Sequence, residues 1–226
     1  MRVDPPDNVR RPRSDALRNR AELLSRAVEL IAEYGPTVPL DDIARAAGVG
    51  SATLYRHFPD RAALLQAIAA QVIGASAQAA ERALAEEPDS YAALARYLRE
   101  ALRVRVAWVM PAIAAAIDHD DEHLAGLRTR SVTAISTMIA DAQRDGVIRP
   151  DLTFGDVSLL LLRLARPLPQ GGDREAQDAT AARHLAIVLA GLRPDAEILP
   201  ATGLELADLR RQRPTPFVAT RPEETA

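Results

Sequence analysis

The chain has 226 residues, 48% of them hydrophobic, and a formal net charge of −3. That length holds one large helical domain or a small domain beside a larger one, and the acidic balance excludes binding to nucleic acid through bulk charge, so any DNA affinity has to be local. With no cysteine, disulfides, thiol nucleophiles, thiol redox sensing and thiolate zinc sites are excluded as well.

Alanine and leucine dominate while β-branched and aromatic residues are sparse, which favours helix over strand. All 28 basic residues are arginine. No apolar signal core opens the chain and no run is read as approaching a membrane span, so a soluble cytoplasmic protein with no membrane partner is expected. Residues 1–13 hold three prolines and four arginines without a helical period, and read as a flexible arm. Ser14 then caps a helix with Leu17, Ala21, Leu24, Val28 and Ile31 on one face, stopped by Gly35. Pro36 to Pro39 form a connector that cannot continue it. A second helix runs from about Leu40 to Ala47, with Asp41 and Asp42 at its positive end and Gly48 closing it. The third starts near Gly50 or Ser51 and ends by Phe58, because Pro59 forbids continuation. Asp60 caps a long fourth helix, Arg61 to about Glu86, with Leu64, Leu65, Ile68, Val72 and Ile73 as its spine.

Pro88 marks the next boundary, and a fifth helix spans Ser90 to about Val106. Trp108 to Ile117 is apolar on all sides and is expected to be buried. One long helix is predicted from Asp118 to the stop at Gly146. Two apolar helices follow, at 153–166 and 174–192, and a proline-punctuated tail (194–226) is expected to be unpacked or loosely docked. The fold class is therefore all-α, about nine helices, divided into an arm (1–13), a three-helix domain (14–60), a second helical domain (61–193) and the tail.

The stretch LDDIARAAGVGSATLYRHFPDRAALL, Leu40 to Leu65, organises the rest. A DNA-reading helix must be short, anchored on one side and exposed on the other. Val49 and Leu54 can anchor the third helix to Ile43, Leu24 and Val28, which leaves Ser51, Ala52, Tyr55 and Arg56 outside. Helix ends and hydroxyls suit phosphate oxygens, and a few side chains then reach base edges. Small residues at Gly50 and Ala52 permit close backbone approach. A second reading of the same stretch is a tight helical corner with Tyr55 and Phe58 as packing aromatics.

Residues 17–68 resemble the DNA-binding domain of TetR-type transcriptional regulators. The likeness rests on the apolar first helix ending in EYG, then DDIARAAGVG, TLYRHF, and FPDRAALL leading into a long helix. It implies an N-terminal helix-turn-helix domain, a homodimer, a double-stranded DNA operator and a C-terminal helical domain that binds a small effector and dimerises. On that resemblance Thr53 approaches bases or phosphate, Tyr55 and His57 bond phosphates, and Arg61 stands where the family usually has a lysine reaching the backbone. Two positions depart from the pattern. Gly50 replaces the common serine cap, at a cost of about a few tenths of a kcal/mol. Pro39 replaces the hydroxyl residue before the second helix, and Thr37, Arg45 or backbone amides can substitute. Residues 1–20 carry six arginines and three aspartates, net +3, against four arginines and six acids, net −2, in 21–61. Arg10, Arg11, Arg13 and Arg18 are thus expected to add salt-sensitive affinity, with a solvated tail as the alternative.

The run Asp118 to His123 could suggest a metal, with His119 and His123 sharing a face if helical, but an acidic helix start explains it and no metal or cofactor is assigned. No nucleophile elbow or phosphate loop points to an enzyme, so no catalytic residue is assigned. Tyr97, Trp108, Met110 and Ile117 are the candidate effector-pocket residues, with core filling as the alternative. Helices 153–166 and 174–192 have apolar surface to spare for a two-fold four-helix interface. The expected function is an effector-responsive regulator, a repressor that leaves a near-palindromic operator when it binds a small molecule. The alternative is a ligand-binding or protein-interaction dimer that has lost DNA binding, for which Pro39 and the acidic balance of 21–61 speak.

Overall fold

Helix stops and caps set the element order. The computed structural model describes residues 11–104, 106–166, 174–194 and 203. Among them stand nine α-helices: α1 (Arg11–Tyr34), α2 (Leu40–Ala46), α3 (Ser51–His57), α4 (Arg61–Glu86), α5 (Ser90–Val104), α6 (Val106–Ile113), α7 (Glu122–Arg144), α8 (Phe154–Ala165) and α9 (Arg174–Gly191). No strand occurs among the described residues. Gly35 and Gly146 end α1 and α7 at φ 86° and 66°. Asp60 and Asp89 start α4 and α5, accepting from the amides of Ala63 and Ala92 at 2.7 Å each.

These helices divide into two compact units, the first ending at Ile68 and the second beginning at Ala69, so the division falls inside α4. The first unit buries Leu23, Leu24, Ala27 and Ile31 of α1, Ile43 and Ala44 of α2, Leu54 and Phe58, and Leu64, Leu65 and Ile68 of α4. The second buries Leu94, Leu98, Met138, Ile139, Val157, Leu161, Leu185 and Leu189 in one core from α5, α7, α8 and α9. Tyr91 Oη donates to the carbonyl of Leu189 at 3.0 Å and ties α5 to α9. Gln143 Nε2 donates to the carbonyls of Pro150 and Leu152 at 3.0 and 2.9 Å, which holds the α7–α8 connector.

Several expectations change. α1 begins at Arg11 rather than Ser14, so residues 11–13 of the expected arm are helical; residues 1–10 lie outside the described residues. Its buried face is turned towards Leu23 and Ala27, both 0% exposed, and Ala21 is exposed. The apolar segment after Trp108 is not buried throughout. Val109, Ile113 and Ile117 are buried, but Ala115 and Ala116 are exposed on a 3-10 turn spanning Ala114–Ala116. α7 starts at Glu122, where Asp121 caps it by accepting from the Leu124 amide. His119 therefore lies in the preceding loop, its Nε2 2.8 Å from the carbonyl of Ala114, and the helical pairing of His119 with His123 does not exist. The tail meets the fold at Gly203, where a Cβ would stand 2.7 Å from Asp156 Oδ2 and 2.9 Å from Thr153 Oγ1, the residues of the α8 capping box. The remaining residues after Pro194 lie outside the described residues.

α4 is long and apolar enough by composition to cross a membrane, against the expectation that no run approaches that length. Leu64, Leu65, Ile68, Ala69, Val72 and Ile73 are nevertheless buried, while Gln71, Gln78 and Glu81 are exposed. This is the one-sided burial of a core helix.

Candidate nucleic-acid interface

The turn between α2 and α3 is built from backbone. The amides of Ala47, Gly48 and Val49 bond to the carbonyls of Ile43, Arg45 and Ala44 at 3.0, 3.1 and 3.0 Å. Gly48 makes this closure possible at φ +67°, a left-handed conformation that costs an L side chain about 1–2 kcal/mol. α3 then begins at Ser51 with Gly50 as its extended cap, and no side chain closes that end. The amides of Thr53 and Leu54 bond to the Gly50 carbonyl at 2.8 and 3.3 Å. The earlier amides precede the first intrahelical bond and can meet an anion. Pro39 likewise caps α2 without a side-chain bond, so the hydroxyl noted as missing has no local replacement in the cap itself.

α3 has two distinct sides. Leu54 is 1% exposed and Phe58, just past its end, 2%, whereas Tyr55 is 47% exposed. Gly50, Ala52 and Arg56 are exposed with it, and Ser51, Thr53 and His57 are half-buried. Val49 is half-buried and Leu54 and Phe58 are buried, so these two carry most of the docking. The Arg20 guanidinium lies 5.2 Å from the Phe58 ring centroid and covers that aromatic from the α1 side, a cation–π contact that sequence spacing gave no means to find.

The basic residues have local partners. Arg45 pairs with Asp42 at 3.1 Å on the surface, an interaction worth about 0–1 kcal/mol that leaves the guanidinium free to turn. Arg61 Nη1 donates to the carbonyl of Pro36 at 2.7 Å. This guanidinium thus closes the connector between α1 and α2, and only its other N–H groups remain for a phosphate. The His57 Nε2 atom is buried with no hydrogen-bond partner, so a phosphate contact from this ring falls to Nδ1 or requires the ring to turn.

Three of the four candidate effector residues have described side chains. Tyr97 is buried, and its hydroxyl shares a hydrogen bond with Ser76 Oγ at 3.1 Å; Ser76 in turn shares one with Ser131 Oγ at 3.1 Å. Burial pushes the Tyr97 phenol up to about 12, with the Ser76 bond acting against it. Ile117 is buried, Met110 is half-buried, and the Trp108 side chain lies outside the described residues. A cavity of about 350 Å³ lies between α5, α8 and α9, with Leu102, Leu164 and Leu185 in its lining.

Comparison with known proteins finds likenesses over both units. The model for bacterial regulatory proteins of the tetR family matches residues 23–68. The model for the C-terminal domain of SbtR-like transcriptional regulators matches residues 87–194. The HTH-type transcriptional repressor LfrR of Mycolicibacterium smegmatis is 46% identical over 66 residues, 29% of this chain and 34% of LfrR. That alignment spans about a third of the curated relative. Among solved structures, a TetR transcriptional regulator from Streptomyces coelicolor is 31% identical, with 78% of this chain and 99% of that one covered and a TM-score of 0.55. The structure of LfrR in complex with proflavine is 26% identical, covers 81% of this chain and 99% of that one, and gives a TM-score of 0.57.

Proposed function

The chain belongs to the tetR family of bacterial regulatory proteins, a family of transcriptional regulators and not of enzymes, and from that premise we propose that it is a cytoplasmic homodimeric repressor that leaves a near-palindromic operator when a small molecule occupies its second unit. The observation that carries the proposal is the two-sidedness of α3. Leu54 holds the helix down while Gly50, Ala52, Tyr55 and Arg56 are exposed and Ser51 is half-buried beside them. Ser51, Thr53 and Tyr55 supply hydroxyls for phosphates or base edges, and Arg45, Arg56, His57 and Arg61 supply cationic or polar reach. The family match over residues 23–68 favours this over the helical-corner reading.

Dimerisation falls to α8 and α9. Ile187 is 61% exposed on α9, the most exposed large apolar side chain described, and Leu159 and Leu162 are half-buried on α8. A two-fold interface there sets two recognition helices about one DNA turn apart, roughly 34 Å or slightly more. The LfrR relative is solved in complex with proflavine, which supports a small-molecule effector here. α4 belongs to both units and is the physical link through which an effector with different affinity for two states shifts DNA binding. Gel-shift against DNA from upstream of the chain's own gene tests the reading. Binding that disappears in Tyr55→Ala with the fold intact is expected; a wild-type protein that binds no such DNA, or a Tyr55→Ala variant that binds as well, overturns it.

A further inference from the structure

Helices α5, α8 and α9 leave a cavity of about 350 Å³ between them, at the small end of the range of about 300–1,000 Å³ in which ligand sites fall. Its walls are aliphatic, from Leu102 of α5, Leu164 of α8 and Ala181, Ala182 and Leu185 of α9. Its rim is cationic. Arg99 and Arg103 of α5 line it together with Arg166, Gln177 and Asp178, which have interactions of their own. No aromatic ring stands in the described lining.

Arg99 and Arg103 are four residues apart on one helix and so share an edge. Both are exposed. Arg103 reaches Glu100 only at 3.6 Å, and that carboxylate is already held by Arg82 at 3.1 Å. Arg99 has no ion-pair partner among the described residues. Positive charge is therefore in surplus where the cavity opens. At about 100° per residue, Asp178, Ala181, Ala182 and Leu185 fall within one arc of α9 about 100° wide, while Ile187 lies about 160° from Leu185. The cavity and the stripe offered for dimerisation are on opposite sides of α9, so the two uses do not compete.

We propose that this cavity binds a small aliphatic carboxylate, with its chain along Leu102, Leu164 and Leu185 and its headgroup between Arg99 and Arg103. The assignment rests on the reading that the second unit binds a small effector, and it names the chemical class of that effector. Guanidinium groups suit a carboxylate through paired charge-assisted bonds. A flat aromatic ligand finds no ring to stack on, and an inorganic anion leaves the aliphatic wall unused.

Calorimetric titration of the full chain with octanoate, octanol and octylamine, each below its micellar concentration, tests this. Octanoate is expected to bind saturably, octanol more weakly and octylamine least. Joint Arg99→Gln and Arg103→Gln replacement is expected to weaken octanoate about tenfold or more while leaving octanol unchanged. Ala181→Phe fills the cavity and is expected to abolish binding of both. Circular dichroism verifies the fold of each variant, and the arginine pair, being exposed, tests the idea even if Ala181→Phe misfolds. Absence of saturable octanoate binding, equal affinity for octanol, or binding indifferent to the arginine replacements overturns the proposal. Fluorescence anisotropy with upstream DNA separates this from the functional reading: arginine-dependent octanoate binding that leaves DNA affinity unchanged supports the site and overturns only its role as effector site.

Discussion

Leu54 and Tyr55 are neighbours in sequence and face opposite ways on α3, at 1% and 47% exposure. Replacing each separates anchoring from reading. Leu54 is the buried residue of a helix that spans only Ser51–His57, so few neighbours within that helix share its load. Leu54→Ala removes a fully buried side chain, with an expected loss of about 2–5 kcal/mol in stability. Tyr55→Phe keeps the ring and removes only an exposed hydroxyl, so stability should change by about 0.5 kcal/mol or less. If that hydroxyl bonds a phosphate, its loss costs about 1.5–3 kcal/mol per half-site, or about 10- to 150-fold in affinity. Urea unfolding followed by circular dichroism reads the first quantity, and fluorescence anisotropy on upstream DNA at fixed salt reads the second. The reasoning fails if Tyr55→Phe binds DNA as tightly as the parent, or if Leu54→Ala unfolds at the parent's urea midpoint.

Four further outcomes are expected. Tyr97 retains its proton in the folded state up to about 12 against 10.0 for the free phenol; between those values the unfolded chain holds fewer protons, so stability falls with rising pH, by about 2–3 kcal/mol in all. Urea unfolding at stepped pH should show that fall and Tyr97→Phe should lack it; identical slopes refute the link. Arg61→Met breaks the 2.7 Å bond to the Pro36 carbonyl and should lower stability by about 1–3 kcal/mol, whereas an unchanged urea midpoint means the bond does not hold the connector. Ile187→Glu should turn a dimer into a monomer by light scattering, and a persistent dimer places the interface elsewhere. Deleting residues 1–10 removes Arg2 and Arg10 and should make the salt slope of DNA binding shallower by about 1–2; an unchanged slope rules out a role for these arginines in binding.

Much of the fold was legible because its signals are local. Gly35, Gly48 and Gly146 end helices through a positive φ, and Asp60 caps α4 through a bond to Ala63, three residues on. Which face of a helix is buried is less local. In α1 the adjacent Leu23 and Leu24, flanked by Ala21 and Ala27, fit a helical stripe in two settings, and the structure takes the one that buries Leu23 and Ala27. The acidic run before α7 shows the same limit. Its charges suit a helix start at Asp118 as well as at Glu122, and Asp121 decides it by capping the Leu124 amide. The rim of the α5–α8–α9 cavity had no signal at all, because Arg99 and Arg103 read as an ordinary solvated helix edge until α8 and α9 are placed beside them.

By itself the sequence determined the helical class, the order of elements, the glycine-closed turn and the likeness to TetR-type regulators, since each rests on residues within a few positions of one another. Tertiary structure alone decided that Arg61 closes on Pro36, that Ser76, Tyr97 and Ser131 form a buried hydroxyl chain, and that a cationic rim meets an aliphatic wall between α5, α8 and α9. Such groups lie on different helices or far apart in the chain. Their meeting is set by which helix faces pack, a choice made by the whole core at once and not by any one stretch of sequence.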